Sequence, residues 1–307
     1  MNSENSQDEN KGLNLLDLII ILWNRKILIT TLTSFAAIFS VLYALSLPNI
    51  YTSQAILSPS GSDDSLSSKL GAFSGLAGLA GVSIPGDSGD KTSEAMARIR
   101  SYDFFVNEFL PYIKLENLMA TKKWDFKTNT LIYNEKDFDE KNSRWVRKVK
   151  FPRKPKPSNQ EAYKVYGEIL VVSQDLKTSF VTISIDHKSP HIAKEWLNLI
   201  IKNINEHMRQ LDKTIAANSV EYLNSTAQST NISQIKTVIS KLLEDQMQDL
   251  MLAEATADYV FTPIASPIAP ERKSKPVRAV ICILITMLGF MISIMISIGL
   301  HFYPLKK

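Results

Sequence analysis

Two stretches without a charged residue, 27–47 and 279–300, constrain this 307-residue chain more than any other feature. They read ILITTLTSFAAIFSVLYALSL and AVICILITMLGFMISIMISIGL. Backbone amides in hydrocarbon find no water, so a crossing segment must satisfy its hydrogen bonds internally, as a helix does. At about 1.5 Å per residue each run reaches roughly 31–33 Å, the thickness of a bilayer's hydrocarbon core. Trp23, Arg25 and Lys26 precede the first run; His301, Phe302, Tyr303, Lys306 and Lys307 follow the second. These residue types favour the interface. A cleaved signal peptide needs a shorter apolar core and a small-residue cleavage site, whereas the first run leaves through Leu47-Pro48-Asn49. The expectation is two spans, with both termini on one side and the 231 residues from 48 to 278 on the other.

The mean hydropathy of −0.05 is therefore an average over two apolar spans and a polar middle. Thirty-five Lys and Arg against 31 Asp and Glu leave a net charge of only +4, without the basic excess of a nucleic-acid-binding chain. The single cysteine, Cys282, excludes an internal disulfide framework and a cysteine-cluster metal site. Arg25 and Lys26 precede the first span and no Lys or Arg follows it until Lys69, which sets the N-terminus in the cytoplasm. Arg272, Lys273, Lys275 and Arg278 pull the other way. The first helix usually dominates, and so long a middle translocates regardless of its charge. Small residues recur at helical spacing in both spans: Ala36, Ser40 and Ala44, then Gly289, Ser293 and Ser297. Such stripes let backbones approach closely and mark helix packing, within or between protomers.

Along the rest of the chain, residues 14–23 read as a short helix with Asn14 as cap, and 51–57 (YTSQAIL) as a strand. Residues 58–90 are rich in Gly and Ser, and a single helix is expected from Thr92 or Ser93 to Phe109. A phosphate-binding loop needs Gly-Lys-Ser/Thr opening a helix. Here Asp90 precedes Lys91-Thr92 and Asp87 adds a second carboxylate, so nucleotide binding is rejected. Residues 124–145 look short-stranded or irregular. Arg144, Arg147, Lys148, Lys150, Arg153, Lys154 and Lys156 then carry seven positive charges with no acid among them, interleaved with Trp145 and Phe151. The bland reading is a solvated edge; the functional one is contact with anionic lipid or an anionic glycan.

Ser158 with Glu161 three residues later forms a capping-box signature for a helix to about Ser173. Residues 179–186 alternate as a strand with Val181, Ile183 and Ile185 on one face. Ser189-Pro190 opens the next helix, serine as cap and proline in the first turn. From His191 to Thr262 there is neither proline nor glycine, so the run is open to a single helix of nearly 100 Å or to a break at the polar stretch 224–233 (NSTAQSTNIS). A helical hairpin turning there returns the chain so that 179–186 and 259–264 share one sheet. Its first arm is apolar at Trp196, Leu199, Ile200 and Ile204, and its second at Ile235, Val238, Ile239, Leu242, Leu243, Met247, Leu250 and Met251. Arms this long have more apolar surface than one partner covers, which suggests neighbouring protomers.

No catalytic constellation stands out. His187 and His191 lie across a strand-to-helix junction and read as surface residues, and the only thiol lies in a span. HExxH and Gly-x-Ser-x-Gly are missing, so a non-catalytic protein without metal or cofactor is expected.

Several segments resemble the Wzz-type chain-length determinants, the class 1 polysaccharide co-polymerases of Gram-negative inner membranes. They are Asp17-Leu18-Ile19 with Trp23, Pro48-Asn49-Ile50-Tyr51-Thr52-Ser53, the Gly/Ala/Leu run 75–81, Pro190-His191-Ile192-Ala193-Lys194-Glu195-Trp196 and Asn203-Ile204-Asn205. The most specific block runs from Met251-Leu252-Ala253 through Asp258-Tyr259-Val260-Phe261 to Pro263, Pro267, Pro270-Glu271 and Lys275-Pro276-Val277-Arg278. The resemblance implies an α+β membrane protein: two transmembrane helices flanking a periplasmic α/β base with a long helical hairpin projection. It implies a homo-oligomeric ring beside the membrane-embedded polysaccharide polymerase, setting the modal length of a lipid-linked polysaccharide such as O-antigen. The related tyrosine autokinases add a cytoplasmic ATPase domain after the second span, and with seven residues after Leu300 that activity is not expected here.

The expected division is a cytoplasmic segment 1–26, span 27–47, base 48–189, hairpin 190–257, strand and proline-rich segment 258–278, span 279–300 and tail 301–307. Pro263, Pro267, Pro270 and Pro276, with the span stripes, are the expected contacts with the polymerase. Two other functions stay open: an accessory protein for polysaccharide export, or a two-span periplasmic sensor. A membrane-anchored enzyme of glycan assembly is disfavoured by the missing constellation.

Overall fold

The computed structural model describes residues 22–60, 88–255 and 258–302, which divide into two compact units, 1–49 with 274–307 and 50–273. The glycine-rich run 70–81, the Asp17-Leu18-Ile19 entry, the capped helix from Asn14 and Tyr303 with the tail lie outside the described residues. The first unit holds α1 (Lys26–Ser46) and a C-terminal helix, Arg278–Phe302, each long and apolar enough to cross a membrane. Most of their side chains are exposed, unlike the core helix of a soluble domain.

The second unit is built on a four-stranded antiparallel sheet. In chain order, β1 (Tyr51–Pro59) is followed by α2 (Ser88–Ile99), α3 (Tyr102–Phe104), a π turn (Phe105–Phe109), a 3-10 turn (Leu110–Tyr112) and α4 (Leu115–Met119). Two small hairpins come next: β2 (Thr121–Asp125) with β3 (Thr130–Tyr133), and β4 (Phe138–Asp139) with β5 (Arg144–Trp145). The chain continues through α5 (Asn159–Ile169), β6 (Leu170–Gln174), β7 (Val181–His187), α6 (Pro190–Ser229), α7 (Ser233–Ala255) and β8 (Phe261–Ala265). The C-terminal helix is α8. The main sheet runs β6-β7-β1-β8, so β7 and β8, the strands before and after the helical hairpin, flank β1.

Strand periodicity decides the core. β7 alternates buried and half-buried along its length, and Ala55 pairs with Ile183, Ile183 in turn with Val172. The apolar face carries Ala55, Leu57, Val172, Val181, Ile183 and Ile185 under the helices. Above it an aromatic cluster closes the base: Phe105 and Phe109 lie 5.0 Å from the Tyr166 ring, and Trp196 meets Phe109 edge-on at 5.6 Å. Rings of this size bury the largest areas per residue and orient one another. The Tyr166 hydroxyl, deep inside, donates to the Ile99 carbonyl at 2.9 Å, satisfying its one polar atom.

Two helices expected from the sequence end early. The expected helix to Phe109 breaks at Arg100, because Ser101 takes an extended conformation and caps a new turn by accepting from the Phe104 amide. The capping box of α5 forms as expected, the Ser158 hydroxyl accepting from Glu161 N–H and the Glu161 carboxylate from Ser158 N–H. That helix stops at Ile169 rather than Ser173. Leu170 and Val172 are needed opposite Ile185 and Ile183 to complete the sheet, and pairing across strands outweighs the weak helical preference of Leu-Val-Val.

α6 runs 40 residues, about 60 Å, and α7 runs 23, about 35 Å, with the turn at 230–232 inside the polar break. Pro190 occupies the first turn of α6, where its missing N–H costs nothing. Ser189 does not cap it with its side chain; its amide instead donates to Nδ1 of His187 at 2.9 Å. The apolar positions Trp196, Ile200 and Ile204 of the first arm sink into the base core rather than against α7. The arms meet further out, where Lys213 pairs with Glu254 at 3.1 Å and Ile239 and Ala253 are buried.

His187 is buried, not the surface residue its position suggested, because β7 extends one residue further and turns it under Trp196, ring centroids 4.8 Å apart. Nδ1 accepts from Ser189, so Nε2 carries the proton and faces the Asn117 carbonyl at 3.1 Å. Burial, seconded by the nearby Lys188 charge, pushes this imidazole down to about 4, against the opposing contacts with backbone at Asn117 and Ser189. The folded protein therefore keeps His187 neutral while the unfolded chain protonates near 6.5. Stability is unaffected above that pH and falls as pH drops from about 6.5 to 4, by about 3 kcal/mol. Thermal melting of the wild type and His187→Gln at stepped pH checks this. The variant is less stable at neutral pH but flatter across the window; parallel profiles would refute the assignment.

Candidate functional site

The two apolar helices pair through their small-residue stripes. Ser40, Ala44, Ser293 and Ser297 are buried, and Thr33 Oγ1 lies 3.5 Å from Ser293 Oγ. Gly289 permits the closest approach: a Cβ placed there would stand 2.3 Å from the Cβ of Ala36. A helix end in lipid still leaves carbonyls without partners. Each span supplies an arginine to the other for this purpose. Arg25, just before α1, donates to the Leu300 carbonyl of α8 at 3.1 Å. Arg278, the first residue of α8, donates to the carbonyls of Ala44 at 3.0 Å and Leu47 at 3.4 Å, and to Asn49 Oδ1 at 3.0 Å. Cations at helix C-termini also face the negative end of the macrodipole. Read from sequence, Arg25 and Arg278 were only topology signals; their capping role needs the antiparallel pairing to be known.

The root of the hairpin is a second concentration of specific contacts. Asn205 is buried on α6, and its amide is fully used: Nδ2 donates to the Phe261 carbonyl, and Oδ1 accepts from the amides of Val260 and Phe261, all at 2.9 Å. The Tyr259 hydroxyl donates to Asp212 at 2.6 Å, and Lys91 reaches the same carboxylate at 2.8 Å. Burial and this bond push the Tyr259 phenol up to about 12, so it stays a donor throughout the neutral range. The start of α2, the middle of α6 and the approach to β8 are thereby latched together. Nothing in the sequence assigned Asn205 or Tyr259 this role, although both lie in segments that carry the family resemblance.

The prolines fall along the same root. Pro263 sits in β8, an edge strand, where a missing ladder donor is tolerated. Pro267 is buried, and with Pro263 it lines a cavity of about 370 Å³ shared with Asn198, Lys202, Glu206 and Arg209 of α6. The Ser53 hydroxyl donates to the Ile268 carbonyl at 2.8 Å, holding this segment against β1. Pro270 is half-buried, and Pro276 stands just ahead of α8 in the first unit. A wider open cleft of about 660 Å³ lies elsewhere on the base, between Tyr112, Lys114, Tyr133, Glu140 and Glu195. Among the described residues no group of three His, Cys, Asp or Glu is placed to hold a metal ion.

The basic segment splits into two classes. Arg147 is structural: Nη2 contacts Glu161 at 3.1 Å and the Lys154 carbonyl at 3.2 Å, while Nε donates to the Pro155 carbonyl at 2.9 Å. The Arg147 guanidinium, then the Ser158 amide, hold the Glu161 carboxyl below its usual range. Arg153 reaches the same carboxylate at 3.9 Å, and Arg144 stands opposite Asp139 across the β4–β5 pair. Lys148, Lys150, Lys154 and Lys156 are exposed and have no ion-pair partner among the described residues.

Residues 11–97 match the model of the Wzz family, described as chain length determinant protein. No curated protein matches the chain in sequence. Among solved structures, a "full-length bacterial polysaccharide co-polymerase" aligns over 95% of this chain and 100% of its own, at 14% identity and a TM-score of 0.42. A "Fragment of WzzB, Polysaccharide Co-polymerase from Salmonella Typhimurium" aligns over 74% of this chain and 100% of its own, at 14% identity and a TM-score of 0.35. With a matched domain that runs across α1 and a second helix of crossing length, the chain is membrane-anchored.

Proposed function

We propose that this chain, which carries a Wzz-type domain over residues 11–97, is a non-catalytic regulator that sets the modal chain length of a lipid-linked polysaccharide, O-antigen or a similar glycan. The family match over 11–97 is the observation that carries this reading. The inner membrane holds α1 and α8, both termini lie in the cytoplasm, and the base with its hairpin stands in the periplasm. The chain works as a ring-forming scaffold beside the polymerase, which the paired spans and the segment holding Pro263, Pro267, Pro270 and Pro276 contact. Chemistry belongs to the polymerase; this protein supplies a surface of fixed geometry. Deleting the gene and resolving the cell's lipid-linked glycan on a gel tests this. Polymer that is still made but has lost its modal length is the expected result. Loss of all polymer would point to an enzyme, and an unchanged ladder to a sensor or an export accessory.

Ring formation has a specific surface to use. On α7, Ile235, Val238 and Leu242 recur at helical spacing and all remain exposed, Val238 by 59%. A stripe of this kind on the outer face of a helix marks an association surface, and further copies of this chain are the occupant that the scaffold reading supplies. Placing carboxylates in it, as Val238→Asp with Leu242→Asp, removes about 1–2 kcal/mol of burial per side chain and forces charge into the contact. The expected outcome is a smaller particle by light scattering in detergent with an unchanged circular dichroism spectrum. An unaltered particle mass would refute the assignment of this face.

A further inference from the structure

We propose that the loop 146–157 is a docking site for the anionic phospholipid surface of the bilayer, with Phe151 as its apolar insertion and Lys148, Lys150, Lys154 and Lys156 as its headgroup contacts. The Arg153 amide donates to the Lys150 carbonyl at 3.1 Å, closing a tight turn with Phe151 and Pro152 at its apex. Phe151 is 96% exposed, an expensive placement for a phenyl ring in water unless it has somewhere apolar to go. Around it the four lysines point into solvent without ion-pair partners among the described residues, and from Arg144 to Ser158 the chain has no acid.

The loop is held in shape from below. Arg147 reaches back to the Lys154 and Pro155 carbonyls and onto Glu161, so both strands of the loop are tied to the N-terminus of α5. Glu161 is in turn fixed by the capping box. Pairing therefore consumes Arg147 and engages Arg153, while the apex and the four lysines are left presented. A presented ring beside ammonium groups that have no ion-pair partner among the described residues is the pattern that favours a surface that is apolar inside and anionic outside.

The base that carries the loop is joined by a short tether to a helix of membrane-crossing length. The covalent tether alone keeps Tyr51 within about 18 Å of the end of α1, five residues back. Each lysine close to an anionic leaflet raises local occupancy about fivefold, and four together act as a strong, salt-sensitive clamp.

The test uses the full chain in nanodiscs, with Cys282→Ser and Phe151→Cys, the new thiol carrying an environment-sensitive fluorophore. In discs of phosphatidylcholine alone the emission is that of water. In discs containing phosphatidylglycerol it shifts to the blue, is quenched by brominated acyl chains, and returns toward the aqueous value at high salt. Replacing Lys148, Lys150, Lys154 and Lys156 together by Gln abolishes the shift while circular dichroism and melting stay as before. Emission that is identical in both discs would overturn the proposal. So would a shift that survives the lysine replacements. A shift produced equally by soluble pyrophosphate in phosphatidylcholine discs would also overturn it and reassign the loop to a free phosphate-bearing ligand. The readout is independent of glycan length, so it stands or falls separately from the function proposed above.

Discussion

A single methyl at Gly289 is expected to force the two spans apart, and removing one from Ala36 is expected to bring them back together. A Cβ at Gly289 would lie 2.3 Å from the Ala36 Cβ, far inside contact distance, and that methyl is fixed directly to helix backbone with no rotamer to yield. Gly289→Ala therefore costs about 1–3 kcal/mol as overpacking, or it lengthens the interhelical distance and loses the dispersion that holds helices together in lipid. Thr33 and Ser293 report on the spacing, since their hydroxyls are 3.5 Å apart. Converted to cysteines with Cys282→Ser, they should oxidise rapidly to a disulfide in the parent, at least tenfold more slowly with Gly289→Ala, and near the parent rate when Ala36→Gly is added. Equal rates in all three proteins would refute the close contact. If the spans also contact the polymerase, Gly289→Ala disturbs glycan length and the double variant repairs it.

Asn205→Leu is expected to be the most destabilising single change in the base. It leaves the amides of Val260 and Phe261 and the carbonyl of Phe261 without their side-chain partner in a buried site. At about 1–3 kcal/mol for each orphaned group the total is roughly 3 kcal/mol or more, enough to lower the melting temperature by about 10 °C. A melting temperature within about 2 °C of wild type would show the contact to be incidental. Asn205→Asp separates hydrogen bonding from packing: it keeps the acceptors but loses the donor and sets a carboxylate against a carbonyl. Its defect should shrink as pH falls and the carboxyl takes up a proton that it can donate to Phe261.

The elements most readable beforehand were those written in local pattern. The uncharged runs at 27–47 and 279–300 became helices Lys26–Ser46 and Arg278–Phe302, and the Ser158/Glu161 capping box formed as spelled. The polar break at 224–233 holds the turn between α6 and α7. What misled was any position decided by a distant partner. Residues 170–174 carry a helix-compatible run, yet Ile183 and Ile185 on β7 pull them into the sheet. His187 looked exposed beside Pro190 until Trp196, nine residues on, came over it. Arg147 counted as one of seven free charges, and Glu161 turned it into a brace.

Sequence by itself determined that this chain has two apolar helices of membrane-crossing length near its ends, a strand-and-helix middle, a long helical run with a polar break at 224–233 and no recognisable catalytic motif. Those follow from periodicity, charge and hydropathy, which act over a few neighbouring residues. Only the tertiary structure decided that Gly289 meets Ala36, that Arg25 and Arg278 cap each other's helices, and that Asn205 latches the hairpin root. Each of these is a pairing across tens to hundreds of residues. Its free energy depends on desolvation and on distances of a few ångströms, which no local pattern encodes.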